Sequence, residues 1–278
     1  MTHDTTTQSP AQSTVRTDAP FVELEGIRKS FGATKVLDGV DLSASRGKVL
    51  TILGGSGSGK SVMLKHMIGL LRPDEGRVLI EGQDVTAYGE HEWFNVRKRI
   101  GYVFQGSALF DSLSVYENIA YPLREHLDWK EDEIEERVAT CLASIGLEDV
   151  GAKMPSELSG GMRKRVGVAR AIALHPQAIF YDEPTTGLDP ASSRRIGELI
   201  KQLQRDLSVT SVVVTHDIKL CLAVSERVVL LDRGKIRLDG SLEEFRTSTS
   251  PELQALLGTE HPVALSMGLA GEGGIHGG

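Results

Sequence analysis

The sequence predicts an α/β fold: a parallel-sheet core, an antiparallel β portion near the N-terminus and a helical region in the middle. Three observations carry that prediction. A short apolar run, "KVLTILGG", ends in glycines and leads straight into the helical pattern of "SVMLKHMIGLL". Two further apolar runs, "QAIFYDEP" and "SVVVTHD", flank the helical "SSRRIGELIKQLQRD", and strand, helix, strand in that order implies parallel pairing. Between the first of these runs and the other two lies an acid-rich stretch whose apolar residues recur at helical spacing.

Residues 1–20, "MTHDTTTQSPAQSTVRTDAP", hold almost nothing to bury and are expected to form a disordered tail. From Phe21 onward "FVELEGIRKSF" alternates apolar and polar residues at Val22, Leu24 and Ile27, and "KVLDGVDLSASRG" continues in that style to a turn at Gly47. "KVLTILGG" reads as a buried strand feeding a loop, and Pro73 is expected to stop the helix that follows. "GRVLIEGQDV" resembles a hairpin strand, and "RKRIGYVFQ" another that ends at the polar Gln105.

From Asp128 to Leu147 the apolar residues Ile134, Val138, Cys141, Leu142 and Ile145 share one helical face, with Gly146 placed to cap its C-terminus. After "ELSGG", Met162, Val166, Ala169 and Ala173 share a face until Pro176. The end of the chain offers one short helix in "SPELQALLG" and a low-complexity "LAGEGGIHGG". The expected organisation is a domain over 21–245, with a helical subdomain at about 107–165, and a C-terminal extension over 246–278.

Composition excludes several classes. At 278 residues, 40% hydrophobic and 25% charged, the chain has the make-up of a soluble globular protein. A net charge of -7 gives no electrostatic footprint for nucleic acid, which is therefore not an expected partner. The two cysteines, Cys141 and Cys221, have neither metal-ligand spacing nor the density of a disulfide scaffold, and read as reduced core residues. No run approaches the roughly 18 apolar residues of a membrane span, and the N-terminus lacks signal-peptide character, so a cytoplasmic location is expected.

The chemistry starts at "GGSGSGKS", the P-loop pattern Gly54-x-x-x-x-Gly59-Lys60-Ser61. Backbone N–H groups of Gly54, Gly55, Ser56, Gly57, Ser58 and Gly59 can wrap phosphates, Lys60 can reach their outer oxygens as a point charge, and the Ser61 hydroxyl can ligate Mg²⁺. The pattern alone leaves GTPases, small-molecule kinases and recombinases open, although no Asn-Lys-x-Asp guanine reader is present. "AIFYDE" adds two acids at the end of a buried strand: Asp182 to serve the metal shell and Glu183 to polarise an attacking water. "ELSGGMRKRVGVARA" then places Ser159, Gly160 and Gly161 directly before a basic helix, which is a second candidate anion site.

"LSGGM" resembles the signature motif, normally LSGGQ, of the ATP-binding cassette (ABC) ATPases, and the rest of that family's order is present. "GGSGSGKS" matches its Walker A, Gln105 its Q-loop, "AIFYDE" its Walker B, "TGLD" with Asp189 its D-loop, and His216 its switch histidine, while Phe31 stands where the family has an adenine-stacking aromatic. A lone histidine after a strand is ordinarily a satisfied core residue, and an aromatic near a strand end ordinarily packs, so both roles rest on this order of motifs. The likeness extends from about Phe21 to Phe245.

The resemblance implies a RecA-like core, ATP and Mg²⁺ as ligands, Gln105 and His216 in the catalytic machinery with Gln105 also near the metal, and Asp189 shaping the site across a homodimer. In that family each nucleotide lies between one subunit's Walker A and its partner's signature loop, which explains two anion sites in one chain. The region after the Q-loop receives a coupling helix of a membrane permease. Here "ALFDSLSVYENIAYPLRE" and "LSGGMRKRV" resemble the ATPase subunits of Mla/MCE-type phospholipid transporters, and Met162 in place of the usual glutamine fits that subgroup. The expectation is therefore an ATPase bound to the cytoplasmic face of the inner membrane, with permease subunits and an MCE-domain protein as partners. The competing readings are an ABC ATPase for another cargo, a soluble ABC protein acting on DNA or ribosomes, and a P-loop kinase for a small molecule.

Overall fold

The computed structural model describes residues 19–257. The expected tail up to residue 18 and the low-complexity C-terminal end lie outside the described residues.

Strand β1 (Val22–Phe31) buries Val22, Leu24 and Ile27 and pairs antiparallel with β2 (Thr34–Ala44). β3 (Val49–Leu53) is buried throughout and opens into the P-loop, after which α1 runs over Lys60–Met67. This helix stops short of Pro73. Gly69 takes φ 68°, and a Cβ there would lie 2.1 Å from the Trp93 ring, so the chain turns where Trp93 closes the space. β4 (Glu75–Ile80) pairs antiparallel with β1 and with the short β5 (Gln83–Asp84), giving the hairpin.

Helix α2 (Glu90–Arg97) has no counterpart in the sequence reading: only Trp93 and Val96 are buried, too few to mark a helical period. β6 (Ile100–Val103) ends ahead of Gln105. α3 (Val115–His126) is capped by Ser114, whose Oγ accepts from the Glu117 N–H at 3.2 Å, and α4 (Glu131–Ser144) buries Ile134, Val138, Cys141 and Leu142. Then follow α5 (Gly160–Ile172), β7 (Ala178–Asp182), α6 (Pro190–Leu207) and β8 (Thr210–Thr215). α5 ends ahead of Pro176. The chain continues through α7 (Ile218–Val224), β9 (Arg227–Asp232), β10 (Lys235–Ser241), α8 (Leu242–Thr247) and α9 (Pro251–Leu257), the last being the short helix expected from "SPELQALLG".

The strands make an antiparallel sheet in the order β2-β1-β4-β5 and a six-stranded sheet in the order β10-β9-β3-β8-β7-β6. In the larger sheet β9, β3, β8, β7 and β6 run parallel, and β10 adds an antiparallel edge. Alternate residues of β7 serve opposite faces: Ile179 and Tyr181 join Val115, Ile119 and Val138 of the helical region, while Ala178 and Phe180 join Met63, Leu64 and Met67 of α1. Both faces are thus covered, which is why β7 and β8 read as continuous apolar runs. At the outer edge β6 lies hard against α5, where a Cβ on Gly101 would meet the Ala171 carbonyl oxygen at 2.5 Å.

Among the described residues no helix is long and apolar enough to cross a membrane. Cys141 and Cys221 are free and buried, and burial pushes each thiol up to about 11. Thiol-directed alkylation at pH 8 is expected to leave the folded protein unlabelled and to modify both residues once denaturant is added, as read by intact mass.

Candidate nucleotide-binding site

Four segments predicted to carry chemistry emerge at the carboxyl ends of neighbouring parallel strands: the P-loop after β3, Asp182 and Glu183 at the end of β7, His216 after β8 and Gln105 after β6. Open α/β sheets bind ligands in that crevice. The P-loop leaves β3 at Gly54, where a Cβ would stand 2.4 Å from the Leu231 carbonyl oxygen, so only glycine lets the chain pass the end of β9. Ser56 and Gly57 form the exposed crest. Gly59 caps α1 with φ 107°, and the helix's first-turn N–H groups face outward with no acceptor inside the helix.

Lys60 is buried under this loop, its Nζ donating to the carbonyl oxygens of Gly54 at 2.8 Å and Gly55 at 2.9 Å. It also stands 3.4 Å from Glu183 Oε1. The Ser58 hydroxyl is buried with no hydrogen-bond partner among the described residues. Ser61 Oγ donates to Asp182 Oδ1 at 2.9 Å, and the Tyr102 hydroxyl donates to Asp182 Oδ2 at 3.2 Å. Burial, reinforced by the Asp182 charge, holds the Tyr102 phenol far above its ordinary range, so it acts as a donor.

Glu183 turns off the strand with φ 49°, a left-handed conformation unusual for a residue with a side chain. Its N–H still donates to the Val214 carbonyl at 2.9 Å, while the side chain swings towards β8. There Oε2 lies 2.8 Å from His216 Nδ1 and accepts from the His216 backbone N–H and the Thr186 hydroxyl, both at 3.3 Å. The glutamate is one-tenth exposed and the histidine about half, at 54%, so the pair has a dry side and a wet side.

The remaining predicted residues stand apart from this cluster. Gln105 is exposed, and among the described residues only its backbone carbonyl is hydrogen-bonded, to Lys164. Phe31 leaves 49% of its surface open beside Lys29, whose Nζ is 5.7 Å from the ring centre. Ser159 caps α5 by accepting from the Met162 N–H at 3.3 Å, and Gly160 and Gly161 form the first turn. Asp189 caps α6 by accepting from the N–H groups of Ala191 and Ser192, each at 2.9 Å. These two helix starts pack together, since a Cβ on Gly161 would meet Ser192 Oγ at 2.9 Å. Among the described residues no hydrogen bond joins either start to the P-loop.

Two residues of the cluster were not foreseen. Tyr102 looks like any aromatic in an apolar strand. Lys164 is 7% exposed and donates to the carbonyl oxygens of Gln105 and, at 3.4 Å, Glu183, so the signature helix reaches both loops. Burial lowers its pKa, with Asp182 and Glu183 opposing the shift. Its spacing was a usable signal: it stands three and four residues before the buried Gly167 and Val168 of α5. Lys164→Met keeps the length of the side chain and removes the donor from two backbone carbonyls, of which that of Glu183 is buried. The expected result is a loss of about 1–3 kcal/mol in urea unfolding, with the midpoint lowered and the slope unchanged.

A glycine loop on a helix N-terminus, a buried lysine, a hydroxyl paired with one acid and a second acid paired with a histidine define a nucleotide site of the P-loop NTPase class. Residues 37–186 match the family model of ABC transporters. The probable ribonucleotide transport ATP-binding protein mkl of Mycobacterium tuberculosis is 41% identical over 236 residues, covering 85% of this chain and 66% of that protein. The intermembrane phospholipid transport system ATP-binding protein MlaF of Haemophilus influenzae is 40% identical over 228 residues, covering 82% of this chain and 86% of that protein. Among solved structures, the ATP-binding cassette MJ0796, a dimer bound to ADP and Pi, superposes with a TM-score of 0.74 at 34% identity over 80% of this chain and 98% of that one. The chain belongs to the ABC transporter family, and its fold is that of the ABC nucleotide-binding domain.

Proposed function

We propose that this chain is the ATP-hydrolysing subunit of a bacterial transporter that closes as a homodimer around two ATP molecules and drives membrane permease subunits, with phospholipid as cargo between the inner and outer membranes. The observation that carries the hydrolytic part is the chain of contacts from Lys60 through Glu183 to His216, beside Ser61 and Asp182.

The site suits a nucleotide with Mg²⁺. Ser58 presents a buried hydroxyl with no partner among the described residues, and Ser61 and Asp182 offer hard oxygen donors. Among the described residues no group of three or more His, Cys, Asp and Glu side chains is placed to hold a metal ion by itself, so Mg²⁺ would depend on phosphate and water oxygens for the rest of its shell, as is usual for that ion. When bound, it would neutralise phosphate charge. Lys60 serves the same end by moving its ammonium from the loop carbonyls to phosphate oxygens. Glu183 accepts a proton from water. His216 Nδ1 and Thr186 hold the glutamate, which leaves His216 Nε2 to face the outer phosphate.

Ser159, Gly160 and Gly161 are read as caps for the nucleotide of the opposite subunit, and Asp189 as a residue of that interface. Support comes from their placement, with Ser159 and Asp189 each capping the start of a helix and Gly160 and Gly161 in the first turn of α5. For the permease, support comes from a cleft beside α3 lined by Tyr102, Phe104, Phe110, Tyr121, His126 and Arg170, in which Phe104, Phe110 and Tyr121 leave 41%, 45% and 45% of their surface open. We read it as the seat of a coupling helix, and Phe31 as the platform for adenine. The chain would then work on the cytoplasmic face of the inner membrane.

The phospholipid cargo rests on the likeness to MlaF and on Met162 in the signature loop. Since mkl is named for ribonucleotide transport, another cargo is the second reading. Affinity purification from detergent-solubilised membranes is expected to recover a polytopic permease and an MCE-domain protein with this chain. Recovery only with ribosomes or DNA would sink the transporter reading, and a permease without an MCE-domain protein would leave it standing but remove the phospholipid.

A further inference from the structure

We propose that Tyr102 is a positioning residue for the metal carboxylate: its hydroxyl holds one oxygen of Asp182 so that the other stays aimed at Ser61. The proposal rests on the reading of Asp182 as the acid of the Mg²⁺ shell. Each carboxylate oxygen has one hydroxyl donor, Ser61 on Oδ1 at 2.9 Å and Tyr102 on Oδ2 at 3.2 Å. A carboxylate at a strand end can rotate about its last bond, and rotation would exchange the two oxygens. Donors on both sides fix the plane. Groups that orient a ligand in this way commonly matter nearly as much as the ligand itself.

The tyrosine is itself well placed. Parallel pairing sets Tyr102 of β6 beside Phe180 of β7, so a side chain of phenol length is needed to reach Asp182 two residues further along. Its backbone is fixed by the close approach of Gly101 to α5, and its ring lies 4.4 Å from that of Phe104. The same ring lines the aromatic cleft, so one side chain borders the cleft at its face and the metal acid at its tip.

The test is calorimetric titration of the full chain with ADP, once with Mg²⁺ and once with EDTA. The quantity read is the gain in ADP affinity that Mg²⁺ provides. Tyr102→Phe and Tyr102→Met are both expected to shrink that gain about tenfold while leaving the EDTA affinity unchanged. A Tyr102→Phe chain with an undiminished gain overturns the proposal. So does a loss confined to Tyr102→Met, because the ring rather than the hydroxyl would then be the agent. Asp182→Asn separates the two levels: it is expected to remove most of the gain, and if it does not, the reading of Asp182 has failed and the role of Tyr102 with it.

Discussion

Replacing Glu183 with glutamine is expected to preserve nucleotide binding and to reduce steady-state phosphate release by about 10²- to 10⁴-fold, the range that a general base contributes. The change is nearly isosteric, and the backbone at φ 49° is held by the N–H bond to Val214, so the loop should keep its course. What goes is the charge that lies 3.4 Å from Lys60 and 2.8 Å from His216 Nδ1. A neutral amide can still accept from Thr186 and from the His216 backbone, but it cannot take up a proton from water. Nucleotide binding and phosphate release measured on the same preparation check this. Undiminished turnover would remove Glu183 from the role of base.

Lys60→Ala should act at the earlier step. Loss of a charge-assisted donor to phosphate is expected to weaken ATP binding about tenfold to a hundredfold, as measured with a fluorescent nucleotide. Glu183 would also lose the cation beside it, in a place where its side chain is 10% exposed. Lys60 and Glu183 are therefore expected to be non-additive. Because Glu183→Gln alone is expected to leave binding unchanged, a double variant that binds ATP more tightly than Lys60→Ala alone would show that the two are coupled.

Much of this was legible in the sequence because the parallel strands are buried on both faces and so leave unbroken apolar runs. The P-loop was legible because steric demand at Gly54 and Gly59 admits no other residue. The acids were legible because they end such a run. What escaped depended on partners distant in sequence. Gly69 rather than Pro73 ends α1 because of Trp93, which lies on a helix too short to show a period. Tyr102 meets Asp182 across a gap of 80 residues, and nothing local distinguishes it from a packing aromatic. Lys164 could have been found, since a lysine in register with Gly167 and Val168 on the buried face of α5 needs an acceptor.

The contact between Gly101 and Ala171 bears on how force would travel through this molecule. Backbone meets backbone there, with no side chain in between that could yield by changing rotamer. Packed interiors compress little. A push on the strand that leads to Gln105 is therefore expected to reach the helix that Ser159 caps with little lost motion, as between meshed gears cut without backlash. Gly101→Ala would wedge that joint open, and the gearing would slip before any residue at the nucleotide had changed.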